Sequence, residues 1–254
     1  MLVLGRRSGR SVSGNPAGAD THERVLTLGG QPSESEPVAL LLFSKTTDYR
    51  HASIPAGVAA LSSWAQRKGL QLEATEDAGW FEPERLARFA AVVWLSTSGS
   101  VLDAKQRRAF ESFLRAGGAY VGIHSASASE PDWPWYAELV GARFTEHPVP
   151  QPARLVVEDR EHPATRHLGS EWRRSDEWYE FDRNPRASVR VLLSVDDASY
   201  QRGKSGDHPL AWCRELAGAR SFYTALGHSP TDFSDAAFLQ HVGGGIEWAL
   251  GAGS

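Results

Sequence analysis

Short apolar runs alternate with amphipathic stretches through the first half of the chain. Residues 38–43, 91–97 and 119–125 are nearly continuous apolar runs, which is typical of strands covered on both faces. Residues 53–69 place apolar side chains at helical spacing, and residues 70–76 form a further strand candidate. Strands and helices that alternate with short connections predict a parallel sheet.

Residue types at the ends of the predicted helices favour the same interpretation. Ser53 is placed to cap the first helix, and Asp103 with Gln106 forms a capping-box pattern before another. Gly117 stands where glycine commonly ends a helix, and a short helix is predicted over residues 83–90. Together these elements predict a doubly wound α/β fold of flavodoxin-like type, a mostly parallel sheet with helices on both faces.

The second half of the chain follows a different pattern. After a predicted short helix and a long loop over residues 131–148, strand candidates follow one another without helices between them. They are residues 154–159, 177–181, 189–195, 209–215 and 219–227. Such a run predicts an antiparallel extension of the sheet. A last helix is predicted from Ser234 to Leu250, although each of the glycines 243–245 costs about 1 kcal/mol relative to alanine.

The composition predicts one domain and argues against several partners. Residues 1–36 are polar and predict a disordered leader, so the domain is expected over residues 37–252. The net charge of -4 argues against nucleic acid as a partner, and the absence of a long apolar run argues against a membrane span. The single cysteine, Cys213, agrees with a reducing compartment, and we expect a cytoplasmic protein. The sequence leaves a homo-oligomer open.

Three histidines directly follow predicted strands. His51 lies in the loop after the first strand, His124 ends the strand that begins at residue 119, and His228 follows residues 219–227. Ligands of doubly wound sheets bind beyond the carboxyl ends of the strands, so these rings are expected to converge there. Neutral imidazole binds metal ions and also transfers protons near neutral pH. The alternative for each residue alone is a hydrogen-bonded structural histidine.

The acidic stretch "DEWYE" at residues 176–180 is a second candidate group. If it is a strand, Glu177 and Tyr179 share one face, while Asp176 and Glu180 share the other. A carboxylate beside imidazoles can orient them, bind a metal ion or transfer a proton. The alternative is an exposed acidic edge.

Other catalytic machinery lacks its motif in this sequence. In "GIHSA" a histidine occupies the centre of what would be a G-x-S-x-G elbow, and Ser125 is one position out of register. Cys213 lies inside a predicted strand, where a buried structural role is expected. No glycine-rich phosphate-binding loop is present.

The motifs "SKTTDYRHASI", "GGAYVGIHSA", "GARFTEHP", "SDEWYEF" and "YTALGHSPTDF" resemble those of the trehalose-utilisation ThuA-like family, from about Val38 to Gly251. That family is similar in fold to class I glutamine amidotransferases, whose catalytic cysteine occupies the elbow where His124 stands here. The resemblance therefore implies no glutaminase activity. It also implies a role in the bacterial utilisation of disaccharides. In that role the protein would act together with dehydrogenases that oxidise a sugar to its 3-keto form. The site residues that it implies are His51, His124, Glu177 and His228, with His147 and Tyr179 as further members.

These residues suit proton abstraction next to the ketone of a 3-keto-disaccharide, followed by isomerisation or cleavage. His124 is the candidate base or metal ligand, and His51, Glu177 and His228 are its candidate partners in catalysis or in binding a divalent ion, Zn²⁺ or Mn²⁺. The alternative is a binding module that holds a sugar without changing it. In either case Trp133 is a candidate for stacking on the small-molecule sugar.

Overall fold

A nine-stranded sheet forms the centre of the computed structural model, which describes residues 38–201, 203 and 206–251. The first strands are β1 (Ala39–Phe43), β2 (Gln71–Thr75), β3 (Ala91–Leu95), β4 (Ala119–Ile123), β5 (Phe144–Glu146) and β6 (Gln151–Val157). The later strands are β7 (Glu171–Asp176), β8 (Glu180–Phe181), β9 (Arg190–Val195), β10 (Pro209–Leu216) and β11 (Ala219–Thr224). The helices are α1 (Ile54–Arg67), α2 (Pro83–Leu86), α3 (Ala104–Arg115), α4 (Pro134–Val140) and α5 (Ala236–Ala249).

The strand order confirms the predicted doubly wound sheet and its antiparallel extension. The order is β2-β1-β3-β4-β11-β10-β9-β6-β7, in which β2 to β11 are parallel and the remaining neighbours pair antiparallel. The parallel part has the flavodoxin-like order, with β11 as its fifth strand. β5 and β8 form a separate two-stranded sheet.

Helices cover both faces of the parallel strands. Phe110 of α3 packs against Tyr120 of β4, whereas a methyl group at Gly245 of α5 would meet the Phe222 ring of β11. Because Phe222 pairs with Val121, the next residue after Tyr120, these two contacts lie on opposite faces. β1, β3 and β4 are almost entirely buried, which agrees with their continuous apolar sequences.

The prediction of a strand over residues 177–181 is wrong in its extent. β7 begins six residues earlier than Glu177, at Glu171, and ends at Asp176. The Asp176 side chain accepts a hydrogen bond from the Glu177 backbone N–H, so the chain leaves the ladder there. Only Glu180–Phe181 return to strand geometry, as β8.

The helix signals are confirmed in part. Asp103 and Gln106 form the predicted capping box at α3. Ser53 occupies the cap position of α1, but its hydroxyl makes no capping hydrogen bond. The last helix begins at Ala236 rather than Ser234, because Asp235 caps it by accepting the Ala237 N–H.

The predicted leader, residues 1–36, lies outside the described residues. Within the described part of the chain, no helix combines the length and the apolar character that crossing a bilayer requires.

Close packing explains the three consecutive glycines of α5. A methyl group at Gly244 would lie 2.2 Å from the Pro163 carbonyl oxygen, and one at Gly243 would lie 2.4 Å from Trp64 Nε1. We expect Gly244→Ala to lower the free energy of unfolding by about 2 kcal/mol, because the Pro163 backbone has no free rotation by which to move aside. Gly169→Ala is the matched control, since its nearest neighbour atom is 3.7 Å away. Urea unfolding of both variants tests this, and equal stabilities would refute the packing explanation.

A buried histidine makes the fold sensitive to acid. Burial lowers the pKa of His241 to about 3, so the ring stays neutral in the folded chain, while the unfolded chain protonates near the ordinary value. The unfolded state then binds more protons below pH 6.5, and His241 alone should remove about 2 kcal/mol of stability between pH 7.5 and pH 5. We expect the loss of unfolding free energy between pH 7.5 and pH 5 to be about 2 kcal/mol smaller in His241→Asn than in the wild-type protein. Unfolding curves at both pH values measure this loss. An unchanged difference would assign the acid sensitivity to other groups.

Candidate functional site: a histidine and glutamate cluster at the carboxyl ends of the parallel strands

His124 occupies a sharp turn directly after β4. Its backbone has a φ of 56°, in the left-handed region that residues other than glycine rarely adopt. The side chain is completely buried, and the chain continues as a 3₁₀ turn, His124–Ala128. Strained backbone of this kind concentrates at functional sites. The turn is thus an elbow that projects an imidazole above the carboxyl end of the sheet.

Hydrogen bonds fix which nitrogen of His124 is available. Nδ1 lies 2.7 Å from the Ala225 carbonyl oxygen, which can only accept, so Nδ1 carries the proton and donates. In the neutral ring, Nε2 is therefore an acceptor, and the Tyr179 hydroxyl donates to it at 3.0 Å. The Tyr223 hydroxyl donates to the His124 carbonyl at 2.9 Å and holds the elbow against β11.

His51 comes from the loop after β1 and meets His124. The two Nε2 atoms lie 2.9 Å apart, and His51 Nδ1 lies 3.2 Å from the Ser125 hydroxyl oxygen. Burial, together with the neighbouring His124, lowers the pKa of His51 to about 3, so the ring is neutral at neutral pH. Two ring nitrogens this close need a proton or a cation between them.

Glu177 and His228 complete the cluster. Glu177 Oε2 lies 3.4 Å from His124 Nε2, and Glu177 Oε1 lies 3.2 Å from His228 Nδ1 and 3.4 Å from His147 Nε2. Burial alone would raise the pKa of Glu177, but the facing imidazoles of His124 and His228 hold it well below its usual range. The short contact with this carboxylate raises the pKa of His228.

Asp176 joins the two loops that carry Glu177 and His228. Its carboxylate accepts the backbone N–H groups of Glu177 at 2.9 Å, Gly227 at 3.1 Å and His228 at 3.3 Å. Arg174 contacts the same carboxylate at 3.2 Å. No local pattern singles out Asp176 for this role, because two of its three backbone partners lie 51 and 52 residues away.

The site residues implied by the sequence therefore converge, with one exception. Tyr179 is buried against His124 with ring centroids 4.6 Å apart, and His147 stacks on Tyr179 at 5.6 Å. Trp133 instead stacks on Trp135 and donates its indole N–H to Glu111 of α3. It is largely buried in that neighbourhood, so its role as a sugar contact stays a prediction.

The cluster has the donor set of a divalent-metal site. One ligand atom from each of four side chains lies within 4.8 Å of all the others; these are His51, His124, Glu177 and His228. His228 Nδ1 is enclosed and, despite its short contact with Glu177, makes no aligned hydrogen bond. Three imidazoles and one carboxylate suit Zn²⁺ or Mn²⁺. The residues present therefore fit such an ion.

Cys213 lies apart from this chemistry. It is a buried free cysteine of β10, and burial raises the pKa of its thiol to about 12. The predicted burial is confirmed, and a thiol with this raised pKa is protonated at neutral pH.

The fold and the elbow together define the class: a doubly wound α/β protein with a buried histidine at the sharp turn after a central parallel strand. The chain belongs to the ThuA family, described as trehalose utilisation, whose family model matches residues 39–249. Membership supports a carbohydrate-related function.

Solved structures agree with this assignment. A ThuA-like protein from Bacteroides uniformis ATCC 8492 is 25% identical with a TM-score of 0.72, covering 87% of this chain and 95% of its own. A ThuA-like protein from Parabacteroides merdae ATCC 43184 is 20% identical with a TM-score of 0.71, covering 86% and 92%. A β-galactosidase from Bacillus circulans sp. alkalophilus shares the fold alone, at 13% identity and a TM-score of 0.54, covering 85% of this chain and 31% of its own. No curated protein matches significantly.

Proposed function

We propose that this protein acts on a keto-disaccharide by removing the proton from the carbon next to the ketone. The observation that carries the proposal is the convergence of His51, His124, Glu177 and His228 on one point at the elbow. The ketone acidifies the C2 proton of a 3-keto sugar, and the carbanion that forms can expel the oxygen at C1 or be reprotonated elsewhere. The trehalose-utilisation family makes a disaccharide the substrate to test first.

The buried members of the cluster suit ion binding better than contact with a sugar. His124 is fully buried and His51 nearly so, which leaves little room for a substrate carbon beside either ring. Each has its Nδ1 atom engaged by Ala225 or Ser125, so each directs Nε2 into the cluster. Hydrogen bonds of this kind orient metal-binding imidazoles. His51, His124, Glu177 and His228 would hold a divalent cation, which would supply Lewis-acid stabilisation of the charge that develops on the ketone oxygen.

His147 is the best-placed group to move the proton. Its side chain is 32% exposed, so a substrate can reach it, and its Nδ1 donates to the Pro148 carbonyl. Nε2 is then the atom that takes the proton from C2. Glu177 Oε1, 3.4 Å away, stabilises the imidazolium that results, and the same Nε2–H can protonate the leaving oxygen when the C1–O bond breaks.

Solvent exchange tests the reaction directly. The full chain, loaded with Zn²⁺ or Mn²⁺, is incubated with 3-ketotrehalose in D₂O, and NMR follows the C2 position and the released sugar. We expect loss of the C2–H signal through exchange or elimination, and more than about a hundredfold slower loss in His147→Gln. His167→Gln is the matched control, since it removes another partly buried histidine whose contact is with Ala237 instead.

Three outcomes have different meanings. Cleavage with the C2–H retained would exclude proton abstraction at C2. Equal rates in His147→Gln and the wild-type protein would remove His147 from the reaction. Stoichiometric sugar binding with no change of the sugar would favour the binding module instead.

A further inference from the structure

Tyr49 is an exposed aromatic residue at the edge of the histidine and glutamate cluster. In the described part of the chain, the exposed large apolar side chains are Val38, Tyr49, Val149 and Val156. Of these, Tyr49 contacts the cluster through its ring, in a T-shaped arrangement with His51 at 4.7 Å between centroids. At 64% exposure, most of the ring is open to solvent beside the candidate site.

The backbone around Tyr49 is held by several hydrogen bonds. The Ser98 hydroxyl donates to the Tyr49 carbonyl at 2.7 Å, and the Thr47 N–H donates to the Ser98 carbonyl at 2.9 Å. Arg50 makes a bidentate contact with Glu76 at 2.7 and 3.1 Å. A ring on an anchored loop loses little conformational entropy when a ligand binds it.

Gly99 allows this loop to lie close to the β3 segment. Its φ is 74°, and a methyl group there would lie 2.4 Å from the Thr47 hydroxyl oxygen. The two loops therefore pack without space between them, which fixes the position of Tyr49 relative to His51.

We propose that Tyr49 forms a second sugar subsite, on which the pyranose ring that does not react stacks while the other ring faces the cluster. This inference rests on the proposed function for the identity of the ligand. A flat aromatic face suits the C–H surface of a pyranose, and the polar side chains of Asp48 and Arg50 on either side are exposed and suit its hydroxyl groups. The ligand class is a disaccharide rather than a monosaccharide.

Binding of an unreactive disaccharide tests the subsite separately from the reaction. The metal-loaded full chain is titrated with trehalose and with glucose by isothermal calorimetry. Tyr49→Ala should weaken trehalose binding about tenfold and change glucose binding less than about twofold, whereas Tyr49→Phe should keep the wild-type affinity. With 3-ketotrehalose, Tyr49→Ala should raise KM and leave kcat unchanged.

Val156→Ala is the control, because it removes exposed apolar surface on β6. Three results would overturn the subsite: unchanged trehalose affinity in Tyr49→Ala, equal weakening for trehalose and glucose, or a wild-type protein that binds no trehalose. If the wild-type protein turns over no keto-sugar but shows the expected trehalose pattern, the proposed reaction fails and the subsite stands.

Discussion

A His124→Asn variant should fold, lose its divalent ion and lose at least about 100-fold in turnover of a keto-sugar. Asparagine tolerates the left-handed backbone at this position, and its amide can still donate to the Ala225 carbonyl. It places no ring nitrogen beside His51. Substitution of residues that only orient metal ligands already costs about 10–100-fold, so removal of a ligand should cost at least the upper figure.

Metal analysis after dialysis, circular dichroism and single-turnover assays measure this result. His162→Asn is the control, because His162 is also buried but hydrogen-bonds to the Ala164 N–H, outside the cluster. It should keep one ion per chain. Wild-type ion affinity in a folded His124→Asn protein would mean that His124 is not a ligand.

Asp176→Asn should weaken ion binding about 10–100-fold and destabilise the fold by about 3 kcal/mol. The Asp176 carboxylate accepts from the Gly227 N–H and contacts Arg174. The asparagine amide can present its NH₂ group, which is a donor, to these same groups. A buried ion pair that loses one partner typically costs this much, and the loops that carry Glu177 and His228 then lose their common anchor.

Asp232→Asn separates stability from ion binding. Asp232 pairs with Arg174 at 2.6 Å, so its substitution should also destabilise the fold. Asp232 does not contact the N–H groups of Glu177 or His228. Its ion affinity, measured at a temperature where both variants are folded, should stay near that of the wild-type protein. Equal ion affinities for Asp176→Asn and Asp232→Asn would show that Asp176 acts on stability alone.

The parallel half of the fold could be predicted from sequence because its signals are local. Continuous apolar runs give β1, β3 and β4, and the capping box at Asp103 gives the start of α3. The break after Asp176 could not be predicted in this way. "DEWYEF" has the composition of a strand, but the Asp176 carboxylate accepts the N–H groups of the adjacent Glu177 and of the distant Gly227, and the second of these contacts has no local sequence signal.

The convergence of the three histidines followed from topology, since residues after parallel strands meet at one edge of the sheet. Glu177 and Tyr179 both contact His124, as expected of two residues on one face. The expected cause, alternation along a strand, does not apply, because β7 ends at Asp176. The partner of His124 Nδ1 had no sequence signal, because it is the Ala225 carbonyl, a group that every residue carries.

The exposure of aromatic side chains was also not predictable from sequence. Trp133 was the predicted sugar contact, but its ring packs between helices, while Tyr49 stands exposed beside His51. Both residues follow a predicted strand and lie near the start of a predicted helix, so their positions in the sequence do not distinguish them. Their exposure depends on which helix packs over each loop.

X-ray absorption at the zinc edge of the Zn²⁺-loaded, full-length protein tests the central claim most directly. The cluster of His51, His124, Glu177 and His228 predicts one ion per chain with only nitrogen and oxygen neighbours, at about 2.0–2.2 Å, and the outer scattering pattern of several imidazoles. A sulfur neighbour at about 2.3 Å, or a spectrum without imidazole scattering, would contradict it.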